Sequence, residues 1–360
     1  MTKQPRAMIY GANGYTGRLI ARHAVERGLK PTLAGRNAEA VEKLAQELDL
    51  PSACFAINDP QLAQRLAGHT SVLHCAGPFS KTARQMMNAC IAAGADYLDI
   101  TGEIEVIELG HELGPRAKDA GVALIPAVGF DVVPSDCLAA MLADRLPGAR
   151  VLQLAFTALG GLSPGTTKTM LEAMPAGGRA RIDGEIRAVP TAWKTMEVPF
   201  RQRSQMCVTI PWGDVASAYY STDILNIEVY TAFPPAQIKS MRRFRFLLPM
   251  LSLAPLQYLA SRWVDRNVKG PSAAELASGT SSLWGRVSDD RGRQASATLE
   301  TSSGYQLTAL TAVAALERSL ERAVPRGFST ASQAFGKEFI LGFPNTDVRW
   351  EEPAEKEVGA

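Results

Sequence analysis

Three glycines in seven residues, Gly11, Gly14 and Gly17 of the stretch MIYGANGYTGRLI (8–20), stand between a short apolar run and a helical pattern. Glycine costs backbone entropy, so this density points to something that must approach the backbone closely. Between a strand and a helix that something is an anion. The first glycine permits the tight turn, the second lets the backbone touch a pyrophosphate, and the third lets the helix pack on the strand. The helix start adds N–H groups and the positive end of its dipole. Asn13, Tyr15 and Thr16 share the loop and join the glycines as candidate dinucleotide-binding residues. The spacing is G-x-x-G-x-x-G, not G-x-G-x-x-G, so position carries the reading against a purely structural turn.

The residue that follows the second strand selects the dinucleotide. A site for NAD puts Asp or Glu about 20 residues past the glycines, on the ribose 2′-hydroxyl. Here the run AGRN supplies Arg36 and Asn37. A guanidinium makes charge-assisted hydrogen bonds to a 2′-phosphate, which a carboxylate would repel. The alternative is a solvated arginine at a helix start. The expected cofactor is NADP(H).

Three further turns follow apolar runs. HCAGPFS (74–80) places Gly77 and Pro78 where the chain could pass close to ribose and nicotinamide, unless they only end a strand. Cys75 lies in the apolar run and reads as a small core residue before a nucleophile. DITGEIEV (99–106) places Glu103 either in the cleft or at a helix start, where a carboxylate simply favours the dipole. PAVGFDVVPSD (126–136) offers Gly129 for an unusual turn, Pro134 to open a helix, and Asp131 as loop cap or substrate-facing group. Glu103 and Asp131 are the candidate catalytic residues.

These turns need a scaffold that brings them together. Strand patterns at 7–10, 31–35, 52–56, 71–77, 96–100 and 122–128 alternate with helix patterns near 15–28, 38–48, 60–67, 80–93 and 104–120. That order predicts a Rossmann-type parallel sheet covered by helices, with ligands at the carboxyl ends of its strands. The pattern changes near residue 147. VLQLAFTA (151–158) and DILNIEVYTAF (223–233) alternate, with Ile227, Val229 and Thr231 on one face and Asn226, Glu228 and Tyr230 on the other, so a half-solvated, largely antiparallel sheet is expected. A hairpin should turn at 290–292, and 304–324 should be a helix burying Leu310, Val313, Leu316 and Leu320. The expected organisation is an α/β chain. An NADP-binding domain spans 1–147 and an α+β substrate or dimerisation domain spans 148–303. A C-terminal helix and segment at 304–350 pack back on the first domain, and a disordered tail covers 351–360.

Composition narrows the classes. The 360 residues carry a net charge of +2, with 46% hydrophobic and 21% charged residues, an ordinary globular balance without a nucleic-acid footprint. Five scattered cysteines with no C-x-x-C, and no apolar run of signal-peptide length before the first strand, lead us to expect a reduced, cytoplasmic protein. The four histidines fall at no metal-ligand spacing, so no metal is expected. MRRFRFLLPMLSLAPLQYLASRWV (241–264) is unusual: no charge lies between Arg245 and Arg262. The run is short of the ~20 apolar residues that span a membrane and holds two prolines. It could dock peripherally on the inner face of a membrane, line an acyl pocket, form a homodimer face, or be a buried helix pair.

Taken together, GANGYTGRLIA (11–21), AGRN (34–37), CAGPF (75–79), YLDITGE (97–103) and VGFDVVPSDCLA (128–139) resemble the saccharopine-dehydrogenase-like reductases, among them the trans-acting enoyl reductases of bacterial lipid biosynthesis. A weaker similarity covers 285–313. The resemblance implies an NADP-binding Rossmann domain and a second α/β domain shaping the substrate site. CAGPF thereby sets Cys75 beside Gly77 and Pro78 among the cofactor-binding positions. No tyrosine has a lysine four residues later, so the Tyr-x-x-x-Lys pair of short-chain dehydrogenases is absent. The expected activity is NADPH-dependent reduction of an activated C=C in an acyl or polyketide-type lipid intermediate. The alternatives are imine reduction or its reverse, oxidation of a secondary amine, and a non-catalytic NADPH-binding, lipid-associated role.

Overall fold

The computed structural model describes residues 5–158, 163–173, 177–246, 253–268, 270, 272 and 279–351. In the N-terminal part, strands Ala7–Tyr10 (β1), Thr32–Gly35 (β2), Ser52–Cys54 (β3), Ser71–His74 (β4), Asp96–Asp99 (β5) and Ala123–Ile125 (β6) alternate with helices. These are Tyr15–Glu26 (α1), Ala38–Leu48 (α2), Leu62–Leu66 (α3), Phe79–Ala93 (α4), Ile104–Asp119 (α5) and Val133–Arg145 (α6). The strands β1, β2, β4, β5 and β6 are buried over their whole length, as a sheet covered on both faces requires, and are apolar apart from Thr32, Ser71, His74, Asp96 and Asp99 at their ends. Pairing is parallel throughout, in the order β6-β5-β4-β1-β2-β3. The order reverses at β1 and β4, which sets the crevice where a dinucleotide lies in such sheets.

The second sheet is mixed. Its strands are Val151–Ala158 (β7), Gly178–Ile182 (β8), Glu185–Val189 (β9), Thr195–Pro199 (β10), Ser204–Thr209 (β11), Asn226–Ala232 (β12), Thr280–Ser288 (β13) and Gln294–Ser302 (β14). Helices Pro164–Ala173 (α7), Asp214–Thr222 (α8), Pro235–Phe244 (α9) and Ala254–Asn267 (α10) fall between them. Most pairs are antiparallel, as expected, but β7 and β12 run parallel, because a long crossover containing α8 returns the chain in the same direction. The half-solvated expectation for 226–232 fails. Ile227, Glu228, Val229 and Tyr230 are all buried, and Glu228 tolerates this by pairing with Lys194 and accepting from the Tyr230 hydroxyl.

The hairpin turns over Asp289–Arg293, where Asp289 accepts from the Arg291 and Arg293 backbone. Helix Gly304–Leu320 (α11) is buried on more sides than the four leucine and valine positions foretold, and Leu310 and Leu320 are only half-buried. It is wedged between the sheets, so polar groups face inward and are satisfied. Thr311 Oγ1 donates to the Val128 carbonyl (2.8 Å), while Ser319 meets Ser71 (2.7 Å) and Asp96 (3.1 Å). Arg27 on α1 pairs with Glu317. The rest of the C-terminal segment divides. Gly327–Phe328 (β15) extends the first sheet beside β6, then Ala331–Phe335 (α12) follows, and Asp347–Glu351 (β16) crosses to pair with β14. Glu351 thus belongs to a strand, and the expected tail beyond it lies outside the described residues.

Candidate cofactor and active site

The glycine loop is shaped by contacts that forbid side chains. Gly11 has φ +83°, and a Cβ there would lie 2.8 Å from the Ala76 nitrogen; one on Gly17 would lie 2.3 Å from the Gly11 carbonyl oxygen. Strand, helix and the loop after β4 therefore close together only because these residues lack side chains. Gly14 is less constrained: its φ is ordinary, and a Cβ would stand 3.2 Å from the Gly11 carbonyl oxygen, a tight contact that a shift of a few tenths of an ångström relieves. It occupies the N-cap of α1 and puts no side chain over the helix start, where the positive end of the dipole favours an anion. Tyr15 and Thr16, half-buried, begin that turn.

At the end of β2 the exposed Arg36 has no ion-pair partner among the described residues. Its carbonyl accepts from Cys54 Sγ (3.4 Å), which fixes the backbone but leaves the guanidinium available. Asn37 is already engaged, its Oδ1 accepting from the Ala40 N–H (3.1 Å) as the cap of α2. Asn13 lies across the end of the same strand, its Oδ1 2.9 Å from where a Cβ of Gly35 would be. Gly35 thus makes room for Asn13.

After β4, Cys75 is half-buried just beyond the strand, and burial, with Asp99 nearby, pushes its thiol well above the ordinary range. It is no nucleophile. Gly77 is exposed, with only the Phe79 ring at ordinary contact distance, and the Gly77–Pro78 peptide is cis. Thr82 Oγ1 donates to the Ala76 and Pro78 carbonyls (2.9 and 3.1 Å) and holds this loop in place.

Glu103 sits at a helix start, yet it serves a different helix. Its carboxylate accepts from the Phe79 and Ser80 N–H groups (2.8 and 2.7 Å) at the start of α4, tying the β5 loop to the Gly77–Pro78 loop. Burial still pushes its pKa above the usual value, against those two hydrogen bonds.

Asp131 is placed differently. Its carboxyl lies over Gly102, where a Cβ would come within 2.9 Å of Oδ2, and it has no side-chain hydrogen-bond partner among the described residues. Burial first, and the charge of Glu103 second, raise its pKa from 3.8 to about 7. Asp99 sets this geometry: it accepts from the Thr101 and Ala127 N–H groups and the Tyr97 hydroxyl (3.0, 2.7 and 2.6 Å), which clamps the loops after β5 and β6. The strained residue is Ala127, at φ +61°, not Gly129. Gly129 is required by crowding, since a Cβ would lie 3.0 Å from Thr308. Pro134 opens α6 as foretold.

Residues beyond the first six strands supply groups that carried no sequence signal. Trp212 Nε1 donates to the Asp131 carbonyl (2.6 Å), and Trp212, Phe156 and Phe130 form a half-buried aromatic run beside it. Over the glycine loop, Tyr15 meets Tyr305 edge-on at 5.1 Å, Tyr305 Oη accepts from the Ser163 N–H, and a Cβ on Gly270 would touch the Tyr15 ring at 2.9 Å. Only long-range packing creates these neighbours. The arrangement suits NADP(H): an uncapped helix start in a glycine cradle for pyrophosphate, an open guanidinium for the 2′-phosphate, and two carboxyl groups at the ends of β5 and β6.

Comparison with known proteins agrees. Residues 7–125 match the saccharopine dehydrogenase NADP binding domain family. A provisionally named trans-acting enoyl reductase of Mycobacterium tuberculosis is 33% identical over 195 residues, 48% of this chain and 46% of that protein. A trans-acting enoyl reductase of Mycobacterium bovis is 33% identical over 141 residues, 36% of this chain and 33% of that one. The chain thus spans less than half the length of these relatives. The apo saccharopine dehydrogenase (L-Glu forming) of Saccharomyces cerevisiae superposes with a TM-score of 0.66 at 12% identity, covering 97% of this chain and 100% of that one. At that identity the likeness establishes the fold. Residues 7–125 thus match a saccharopine dehydrogenase NADP binding domain, and the chain as a whole shares the saccharopine dehydrogenase fold.

Proposed function

We propose that the chain is an NADPH-dependent oxidoreductase that reduces an activated C=C of an acyl or polyketide-type lipid intermediate. What carries the reading is Asp131, a carboxyl pushed up to about 7 by burial, without a side-chain hydrogen-bond partner among the described residues, beside an aromatic run and at the strand ends where ligands of such sheets bind. The names of the relatives point the same way.

NADPH, when bound, would supply the hydride that such a reduction needs at the β-carbon, leaving the C=C electrons on the α-carbon and thioester oxygen as an enolate. Gly11, Gly14, Tyr15, Thr16 and Gly17 would hold its pyrophosphate through the loop and helix start, and Arg36 its 2′-phosphate. Asn13, Asn37, Cys75, Gly77 and Pro78 shape the surrounding backbone. Asp131, protonated below about pH 7, gives its proton to the α-carbon and regains one from solvent. Glu103 is a positioning residue: its two backbone hydrogen bonds fix the Gly77–Pro78 loop, and its negative charge helps keep Asp131 protonated. The aromatic run of Phe130, Phe156 and Trp212 excludes water from the acyl chain. A lipid substrate also gives the 241–264 segment a role, as contact with a lipid surface and not as a homodimer face.

The test is NADPH oxidation with enoyl thioesters against a keto acid plus amine. Turnover of the thioester alone supports the proposal. Turnover of the second mixture alone would reassign the chain to imine chemistry, and binding of NADPH without turnover of either would make it a non-catalytic binder.

A further inference from the structure

Large hydrophobic side chains are exposed in one region above all others. Phe244 and Phe246 at the end of α9, and Leu253, Leu256, Tyr258, Leu259 and Trp263 on and before α10, are 39–70% exposed. Leu256, Leu259 and Trp263 follow i, i+3, i+7 spacing and share one face of α10, while Val264, about a quarter-turn round from them, is fully buried and marks the side that packs. The helix is therefore amphipathic with its apolar side outward, so the buried-pair expectation for 241–264 fails among the described residues. Leu247 and Leu251 of that segment lie outside them. No described helix is long and apolar enough to cross a membrane.

Charge selects the occupant. Residues 235–267 contain Lys239, Arg242, Arg243, Arg245, Arg262 and Arg266 against a single acidic residue, Asp265. Arg243, Arg245, Arg262 and Arg266 are exposed around the apolar side chains. Arg262 donates to the Tyr258 hydroxyl (2.9 Å), which keeps cation and ring together at one level. Aromatic rings with polar edges, aliphatic side chains and flanking guanidinium groups match the interfacial layer of an anionic bilayer. A second copy of this face would set cations against cations.

We propose that α10 and the end of α9 dock the protein on an anionic lipid surface. The proposal rests on the acyl-substrate reading for its purpose and on charge and exposure for its physics. It also places the lipid next to the cofactor loop, because α10 runs directly into Val268 and Gly270, and Gly270 packs against Tyr15.

The test is co-sedimentation of the full chain, without cofactor or substrate, with vesicles of phosphatidylglycerol and phosphatidylcholine or of phosphatidylcholine alone. Binding should require phosphatidylglycerol, weaken with salt, and fall on the order of tenfold or more in Arg262→Gln/Arg266→Gln and in Tyr258→Gln/Leu259→Gln/Trp263→Gln. Unchanged melting and NADPH affinity identify these variants as folded. Absence of binding to the anionic vesicles, or equal binding by folded variants, overturns the proposal. So does a dimer in sedimentation equilibrium that the same substitutions dissociate without any lipid binding. Lipid binding by a chain that turns over no thioester would sink the enoyl reading and leave this surface standing.

Discussion

Replacing Asp131 by Asn should abolish most turnover and at the same time stabilise the protein at alkaline pH. A carboxyl that ionises at 3.8 when solvated, but at about 7 in the folded chain, keeps its proton through the interval where the unfolded chain has lost it. Its contribution to stability is therefore fully present below about pH 4 and is lost as pH rises through about 7. At about 1.4 kcal/mol per pH unit, that interval corresponds to a ceiling of about 4 kcal/mol, reduced by whatever solvent reaches the half-buried group. Asn matches the protonated carboxyl in shape and never ionises. Thermal melts at about pH 5 and pH 8 should show the wild type losing stability across the interval by more than Asp131→Asn does, with the variant the more stable at pH 8. Wild-type turnover should decline as pH rises through about 7, as the acid form disappears. A variant less stable than wild type at pH 8, or one with equal pH dependence, would refute the assignment of a buried, neutral carboxyl.

Arg36→Ala should weaken NADPH by about 1.5–3 kcal/mol, a loss of one charge-assisted contact, and leave NADH unchanged; comparative fluorescence titration measures both, and equal effects on the two would remove Arg36 from the 2′-phosphate site. Gly17→Ala adds a Cβ 2.3 Å from the Gly11 carbonyl oxygen, so α1 must shift and NADPH affinity should collapse; a variant with normal melting and normal affinity would show that the loop yields. Gly14→Val, by contrast, should fold and still lose NADPH, because only the ligand needs that surface bare. Glu103→Ala removes the shared acceptor of the Phe79 and Ser80 N–H groups and should cost about 0.5–2 kcal/mol of stability by denaturant titration; no loss would mean that water replaces it fully.

The first domain was legible because its signals are local. Apolar runs of strand length, glycines at a turn and helix patterns between them locate β1 to β6 and the loops after them with small errors at the ends. The site was legible in part. Arg36 was readable from register, and Glu103 and Asp131 from the strand ends they follow. Their surroundings were not, since burial and partners come from packing: Glu103 reads either as a cleft-facing catalytic candidate or as a carboxylate favouring its own helix, and it accepts from the start of α4. Asn37 reads as a cofactor residue and spends its Oδ1 on α2. Trp212, Phe156, Tyr305 and Gly270 reach the candidate site from distant parts of the chain, which no sequence period records. The same holds for β7 against β12, because strand direction depends on a crossover of some seventy residues rather than on alternation. The apolar side of α10 was visible as an uncharged run, but its outward orientation was not.

The proposed step is hydride transfer from NADPH to the β-carbon of an enoyl thioester in the cleft beside Asp131. Incubating the protein with an enoyl thioester and NADPH deuterated at C4 of the dihydronicotinamide, then locating the label by mass spectrometry and NMR, tests it directly. The account predicts a saturated thioester with deuterium at the β-carbon, a solvent-derived proton at the α-carbon, and a yield that drops in Asp131→Asn while NADPH affinity holds. Deuterium at the carbon of an imine-derived product, or an unreacted thioester beside unoxidised cofactor, would contradict it.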